Sequence, residues 1–396
     1  MPTFNPRVFT KPDRLKNIAA NNLVALFDLW PDYLPSRGLS LSGHLDGFPF
    51  EELSSVLMTP NDHTPPDLID ALYFIDESAT DFAIEDLLEI AKTQEIDLGP
   101  ADKLTPADVA VRIWLAKPQA LKDTHARAVV FNQKRFVYFG GGADEPKKFP
   151  EVTEEKTLAI QASFDDWFGS RRKGRGTRVF TFRRDKRVWM LVRHGLPMRR
   201  EGNHQDTGET ETEFYRPQQH DVLVYDEQTG EIGVHTSTKG ETELYLHTIG
   251  FLLFDDPDHF PPAAKYSFDP LLNDGPAALA CDDIDGIDRI LLVEIQRYWP
   301  GPFGEREIRK ANDLFGAFGD KWSEHLAPGK LSGVVFRVWF SGSKKDRSVT
   351  VRTPNIARYD RNEDSDVIER WLAARGFCKS GDEAVPATST LDFIYE

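Results

Sequence analysis

The chain has 396 residues, 40% of them hydrophobic and 11% aromatic, enough to bury a large core and to form two or three domains. No run approaches the ~18 uninterrupted apolar residues of a membrane span, and the N-terminus MPTFNPRVFTKPDRLKN lacks the apolar core of a secretory signal, so a cytoplasmic location is expected. The net charge of −16 favours solubility and, taken alone, argues against nonspecific nucleic-acid binding.

Residues 12–117 carry the three-and-four spacing of helices with one buried face. Leu15, Ile18, Ala19, Leu23, Leu26 and Phe27 follow it, as do Leu68, Leu72 and Ile75, and then Ile84, Leu87, Leu88 and Ala91. In TPADVAVRIWLA, Thr105 stands where a helix is capped, Pro106 at the first helical position and Asp108 near the positive end of the dipole. A helical domain over residues 1–125 is expected.

The pattern then turns to alternating, β-branched segments. ARAVVF and KRFVYF read as strands, GGGADEPKKFPEV as a loop or linker, and residues 154–168 as a helix. TRVFTF and VWMLVRH flank the turn RRDK, and DVLVY and EIGVHTS flank Gln228-Thr229-Gly230, giving two hairpins. Between them REGNHQDTGETETEFYRP is polar and turn-rich and reads as mobile. TELYLHTIGFLLF reads as a helix, with a buried strand as the alternative. These elements predict a β-rich central domain over 126–275.

After a proline-rich break the order is strand (RILLVEIQRYW), helix (EREIRKANDLFGAF), two strands (SGVVFRVWF and RSVTVRT), helix (DSDVIERWLAARGF) and a terminal strand LDFIY. That βαββαβ order resembles a ferredoxin-like split unit and predicts an α/β domain over 276–396. The expected fold class is therefore α+β.

Charge is unevenly spread. Residues 171–200 hold twelve basic residues and one acid, Asp185, a net +11 that leaves the remainder at −27. Such concentration suits a polyanion, and Arg171, Arg172, Lys173, Arg175, Arg183, Arg184, Lys186 and Arg187 are the candidate nucleic-acid contacts. Pairing with the chain's own carboxylates is the competing account. Trp167, Phe168, Phe180, Phe182 and Trp189 interleave with these cations and could stack bases, although alternate strand positions favour core.

The strand VWMLVRHG ends in Arg193-His194-Gly195 and in this resembles the opening of histidine phosphatases, where the imidazole attacks phosphorus and the arginine holds phosphoryl oxygens. Leu196 and Pro197 then depart from that pattern, a hairpin partner precedes the strand, and the second imidazole would have to come from His235 or His325. A metal nuclease core would use Asp221 and a following Glu-x-Lys; here Val234-His235-Thr236 stands instead, and Glu231 is followed by Ile232 and Gly233. His194, His204, His220, His235, His247 and His259 show no metal-ligand spacing, and CDDIDGID places Cys281 and Leu292 where a calcium loop needs oxygen ligands. Phosphate-binding P-loops, dinucleotide loops and GxSxG elbows are absent, and Cys281 and Cys378 form neither a disulfide framework nor a zinc motif.

No catalytic residue, metal or cofactor is assigned. The expectation is a non-enzymatic nucleic-acid-binding or sensing subunit whose acidic surfaces meet protein partners, of the kind found in antiviral-defence or DNA-processing assemblies. The competing expectation is an enzyme: a phosphohydrolase through His194, or a nuclease-like protein with a degenerate metal site near Asp221.

Overall fold

The structure is a computed structural model that describes residues 11–41, 47–61, 63–79, 84–99, 104–131, 133–140, 146–184, 186–204, 207–361 and 365–379. Helices together with a large antiparallel sheet make this an α+β protein. Two compact units are formed, Met1–Val129 with Met198–Tyr215, and Val130–Pro197 with Arg216–Glu396.

The first unit is built on α1 (Pro12–Leu15), α2 (Ala20–Phe27), α3 (Tyr33–Ser36), α4 (Phe50–Leu57), α5 (Pro66–Ser78), α6 (Ile84–Thr93) and α7 (Pro106–Ala116). Its core gathers the predicted stripes, including Leu15, Ile18, Leu26, Leu72 and Leu87. Thr105 caps α7 in a reciprocal capping box: its Oγ1 accepts from Asp108 N at 3.0 Å while the Asp108 carboxylate accepts from Thr105 N at 3.3 Å. The second Asp108 oxygen accepts from Ala19 N and Asn22 Nδ2, at 2.8 and 2.6 Å, so one buried carboxylate also pins the start of α2.

Helix α8 (Pro118–Phe131) contains ARAVVF, which corrects the strand expected there. Pro118 opens a helix naturally, and buried Leu121 and His125 recur one turn apart, a helical rather than an alternating repeat.

There follow β1 (Arg135–Phe139), α9 (Glu154–Ser170), β2 (Arg178–Arg184), β3 (Arg187–Gly195), β4 (Arg199–His204), β5 (Thr210–Tyr215), β6 (Gln218–Asp226), β7 (Ile232–His235) and α10 (Lys239–Phe254). Strands β4 and β5, read from sequence as mobile, form a two-stranded ladder pairing Arg199 with Tyr215 through to His204 with Thr210. Every residue in it is exposed, so cross-strand pairs hold it: Arg200 donates to Thr212 Oγ1 at 2.8 Å and Asn203 to Glu213 at 3.1 Å.

The chain continues through α11 (Asp269–Asp274), β8 (Ile287–Tyr298), β9 (Arg306–Lys310), α12 (Leu314–Phe318), α13 (Trp322–Leu326), β10 (Lys330–Phe340), β11 (Arg347–Arg352), β12 (Ile356–Arg358) and α14 (Ser365–Ala374). Ten strands join in one sheet, in the order β2-β3-β6-β7-β1-β12-β11-β10-β8-β9, with every pairing antiparallel. Strand β1 links the halves by pairing with both β7 and β12, so the stretches 126–275 and 276–396 share a sheet.

The ferredoxin-like order is corrected at the expected helix EREIRKANDLFGAF. Its first part folds back on β8 as β9, and only after Asp313, whose Oδ1 accepts from Gly316 N at 3.0 Å, does the helix α12 begin. The result differs from a split unit because β8 and β10, joined through α12 and α13, are direct antiparallel neighbours rather than parallel strands with a third between them. The segment LDFIY lies outside the described residues. Among the described residues, no helix is long and apolar enough to cross a membrane.

One face of β3, β6 and β7 is covered by α9 and α10. Ile160, Phe164, Phe168, Tyr245 and Ile249 pack there against Val188, Met190, Val192, Leu223 and Val234.

Candidate functional site

Alternation along β3 sends Val188, Met190, Val192 and His194 toward the helices and Trp189, Leu191 and Arg193 to the opposite face. His194 is thereby buried, its side chain 1% exposed, beneath the stacked ring of Phe168 at 4.0 Å. Each imidazole nitrogen lies 3.0 Å from an oxygen, Nε2 from Asp221 Oδ2 and Nδ1 from the Gly195 carbonyl. Tyr245 on α10 donates to the same Asp221 oxygen at 2.8 Å. Burial, reinforced by the Asp221 charge, pushes the Tyr245 phenol well above its ordinary range, which keeps it a donor.

One helical turn before Tyr245 stands Glu241, fully buried. It closes a capping box with Thr238, accepting from Thr238 N at 2.9 Å on one carboxylate oxygen, while its other oxygen takes the ammonium of Lys173. Lys173 comes from the loop after α9, which Asp165 fixes by accepting from Gly176 N and Thr177 N at 2.9 and 2.8 Å. Partial burial alone would raise the Asp165 pKa, but the hydrogen bonds from Thr177 and Gly176 prevail and hold it below the usual carboxylate range.

Ligand atoms of His194, Asp221 and Glu241 lie within 4.8 Å of one another, a set of imidazole and carboxylates that a divalent cation favours. Protein donors nevertheless take Asp221 Oδ2, through His194 and Tyr245, and both Glu241 oxygens, through Thr238 and Lys173. Lys173 brings the positive charge that an ion would supply, so a metal would have to displace both this ammonium and the His194 hydrogen bond. The donor set fits a closed ionic network better than a metal centre.

The same geometry explains Arg193-His194-Gly195 without phosphoryl chemistry. A nucleophilic imidazole needs an open nitrogen, and both nitrogens of His194 are engaged in a buried space. Gly195 is required sterically, because a Cβ there would lie 2.4 Å from the Arg216 side chain and 2.6 Å from the Lys173 carbonyl. His235 pairs in register with Val222, next to Asp221, and so lies on the sheet face opposite His194. Its Nδ1 is 2.8 Å from the Arg135 carbonyl, and burial lowers its pKa. Imidazoles at positions 194 and 235 do not converge.

Sequence reasoning missed Glu241 and Tyr245 and did not pair Lys173 with either. The signal was present in Thr238-x-x-Glu241, a capping-box spacing, with Tyr245 four residues further along the same helix face.

Several residues of the basic stretch meet carboxylates of the same chain. Lys173 is half-buried against the buried Glu241; Arg175 meets Asp166 at 2.9 Å; Arg183 meets Glu227 at 2.9 Å and donates to the Phe149 carbonyl; Arg187 meets Asp226 at 3.0 Å and also Glu369. Arg171, Arg172, Arg184 and Lys186 are exposed, as is Arg178, which lay outside the candidate set. Arg171 stacks on Trp167 at 3.7 Å. Of the aromatic residues, Phe168 and Trp189 are core, whereas Trp167, Phe180 and Phe182 are half-buried.

Arg178, Phe180, Phe182 and Arg184 alternate along β2, which is an edge of the sheet, and share the face opposite the α9/α10 core. Arg193 pairs with Arg178 on that face, its guanidinium 5.5 Å from the Phe180 ring. Comparison with protein-family models and with curated proteins finds no match.

Proposed function

We propose that the protein is a non-catalytic nucleic-acid-binding component that tracks a single strand with Arg171, Arg172, Arg178, Arg184 and Lys186. The observation that carries this reading is the row Arg178, Phe180, Phe182, Arg184 on the outer face of edge strand β2, cations alternating with half-buried rings. Guanidinium groups neutralise phosphates, and an aromatic ring offers any base a stacking surface. The nearby loop adds Arg171 and Arg172, held in place through Asp165. The closed hydrogen bonding of His194 and Asp221 supports the non-catalytic half of the reading. The acidic remainder of the chain, at −27, repels nucleic acid elsewhere and is the surface offered to protein partners in an assembly of the defence or DNA-processing kind.

The test is titration of labelled single-stranded DNA and RNA over a range of salt concentrations. With five phosphate contacts the log–log salt slope is expected to be about −3 to −4. Charge reversal at Arg178 and Arg184 should weaken binding by about tenfold or more. Affinity that ignores both salt and these substitutions would falsify the reading.

A further inference from the structure

A cavity of about 530 Å³ lies in the second unit, between the segment 264–272, the end of β8, the turn leading into β10, and the Thr353–Pro354 turn. Its size falls within the range of small-molecule sites. No residue of the basic row or of the buried ionic cluster lines it.

The walls combine apolar and polar surface. Tyr266 and Phe268, both buried, and Leu272, 42% exposed, form one side; Leu326, Leu331 and Tyr298 form the other. An exposed Leu272 beside buried aromatics leaves apolar surface that an apolar ligand body would cover.

The polar groups lie in distinct places. Ser267 and Asp269 satisfy each other, Ser267 Oγ donating to Asp269 at 2.6 Å and Asp269 N donating to Ser267 Oγ at 3.1 Å. By contrast, the hydroxyls of Ser332 and Thr353 make only long contacts with carbonyls, at 3.3 and 3.5 Å, so both retain hydrogen-bonding capacity. Lys330 is exposed at the rim with its ammonium 6.0 Å from the Tyr298 ring, and Lys379 adds a second cation. Lys330 thus offers the lining an exposed cation in a chain that is net −16.

We infer that this cavity binds a small amphipathic acid, its aromatic or branched body against Tyr298, Phe268 and Leu272 and its anionic group at Lys330. The hydroxyls of Ser332 and Thr353 orient the ligand. This site is independent of the nucleic-acid reading.

The probe is 1-anilinonaphthalene-8-sulfonate, titrated by fluorescence against the whole chain, with the uncharged N-phenyl-1-naphthylamine as its partner. Saturable binding at one site is expected. Lys330→Glu, at an exposed position, should weaken binding of the sulfonate by about tenfold, and removing the sulfonate from the probe should do the same. Ala327→Trp, which places an indole against the cavity wall, should abolish binding while the thermal midpoint holds. Equal affinity for charged and uncharged probes overturns the anion assignment. Wild-type affinity in both variants, or no saturable binding at all, overturns the site.

Discussion

The two faces of the β2–β3 hairpin treat charge in opposite ways. On the helix side, His194 and Asp221 are sealed with Glu241, Tyr245 and Lys173, and protein donors take Asp221 Oδ2 and both oxygens of Glu241. On the outer side, Arg178 and Arg184 alternate with half-buried phenylalanines at a sheet edge. Within one loop Arg172 faces solvent while Lys173 is drawn in. A cation inside a low-dielectric cluster interacts several times more strongly than one in water, so the first face is expected to govern stability and the solvent-exposed second face to contribute less to it.

The sharpest way to break this contrast is Lys173→Ala. It leaves Glu241 buried without its cation, and a loss of about 3–5 kcal/mol is expected from urea denaturation. Lys173→Met combined with Glu241→Gln should recover most of it, because the neutral pair carries little desolvation cost. The single variant also frees the carboxylate that the ammonium occupied, so Zn²⁺ is expected to raise the melting midpoint of Lys173→Ala and to leave the native protein unmoved. A loss below about 1 kcal/mol would place the pair in the class of solvent-exposed bridges and dissolve the contrast.

A second buried histidine, in the helical unit, sharpens the comparison, because the Glu77 carboxylate lies 3.9 Å from its Nε2, beyond hydrogen-bond distance. His125 has its Nε2 3.2 Å from the Tyr73 hydroxyl and rests edge-on against Tyr73 and Phe74. Burial lowers its pKa from 6.5 to about 4. The folded state therefore keeps it neutral where the unfolded chain takes a proton. Its contribution is complete above pH 6.5 and is lost as pH falls toward 4, a cost of about 3 kcal/mol. Urea midpoints of the native chain and His125→Phe should converge over that window as acid is added. A constant difference between them would show that the imidazole is not held neutral.

Smaller again is Tyr245→Phe, which removes one of two donors to a buried carboxylate and should cost about 1–3 kcal/mol. His194 still serves Asp221 in that variant, so the fold should persist.

Much of this architecture was legible, for reasons that differ along the chain. The Thr105-Pro106-Asp108 start and the leucine stripes were readable because capping and burial there depend on neighbours within a few residues. Strands β2, β3, β6 and β7 were readable by alternation. The joining of both halves through β1 was not, since pairing with β12 unites residues more than two hundred positions apart. The sequence around Arg306–Lys310 is rich in good helix formers, and its pairing with β8 overrode that preference. At the site, His194 and Asp221 were singled out separately, but their meeting depends on strand register, and Glu241 enters only through the cap of α10. Charge density marked the right segment without sorting its members, because face and partner are tertiary properties.

The smallest stability effect belongs to Arg171→Glu with Arg172→Glu. Both side chains are exposed, and Arg171 only stacks on Trp167 and reaches Ser170, so a change within about 0.5 kcal/mol is expected. Binding should respond differently. Losing two phosphate contacts lowers the magnitude of the log–log salt slope by about 1.4, and the reversed charges weaken affinity further. The matched control is Arg175→Glu with Arg183→Glu, whose guanidinium groups already face Asp166 and Glu227 and have less to give a phosphate. A larger affinity loss in the first pair than in the second means that exposure, rather than the count of cations, sets the docking surface. Equal losses would mean that the intramolecular pairs open in the complex, and the division between engaged and available cations would then fail where it matters for binding.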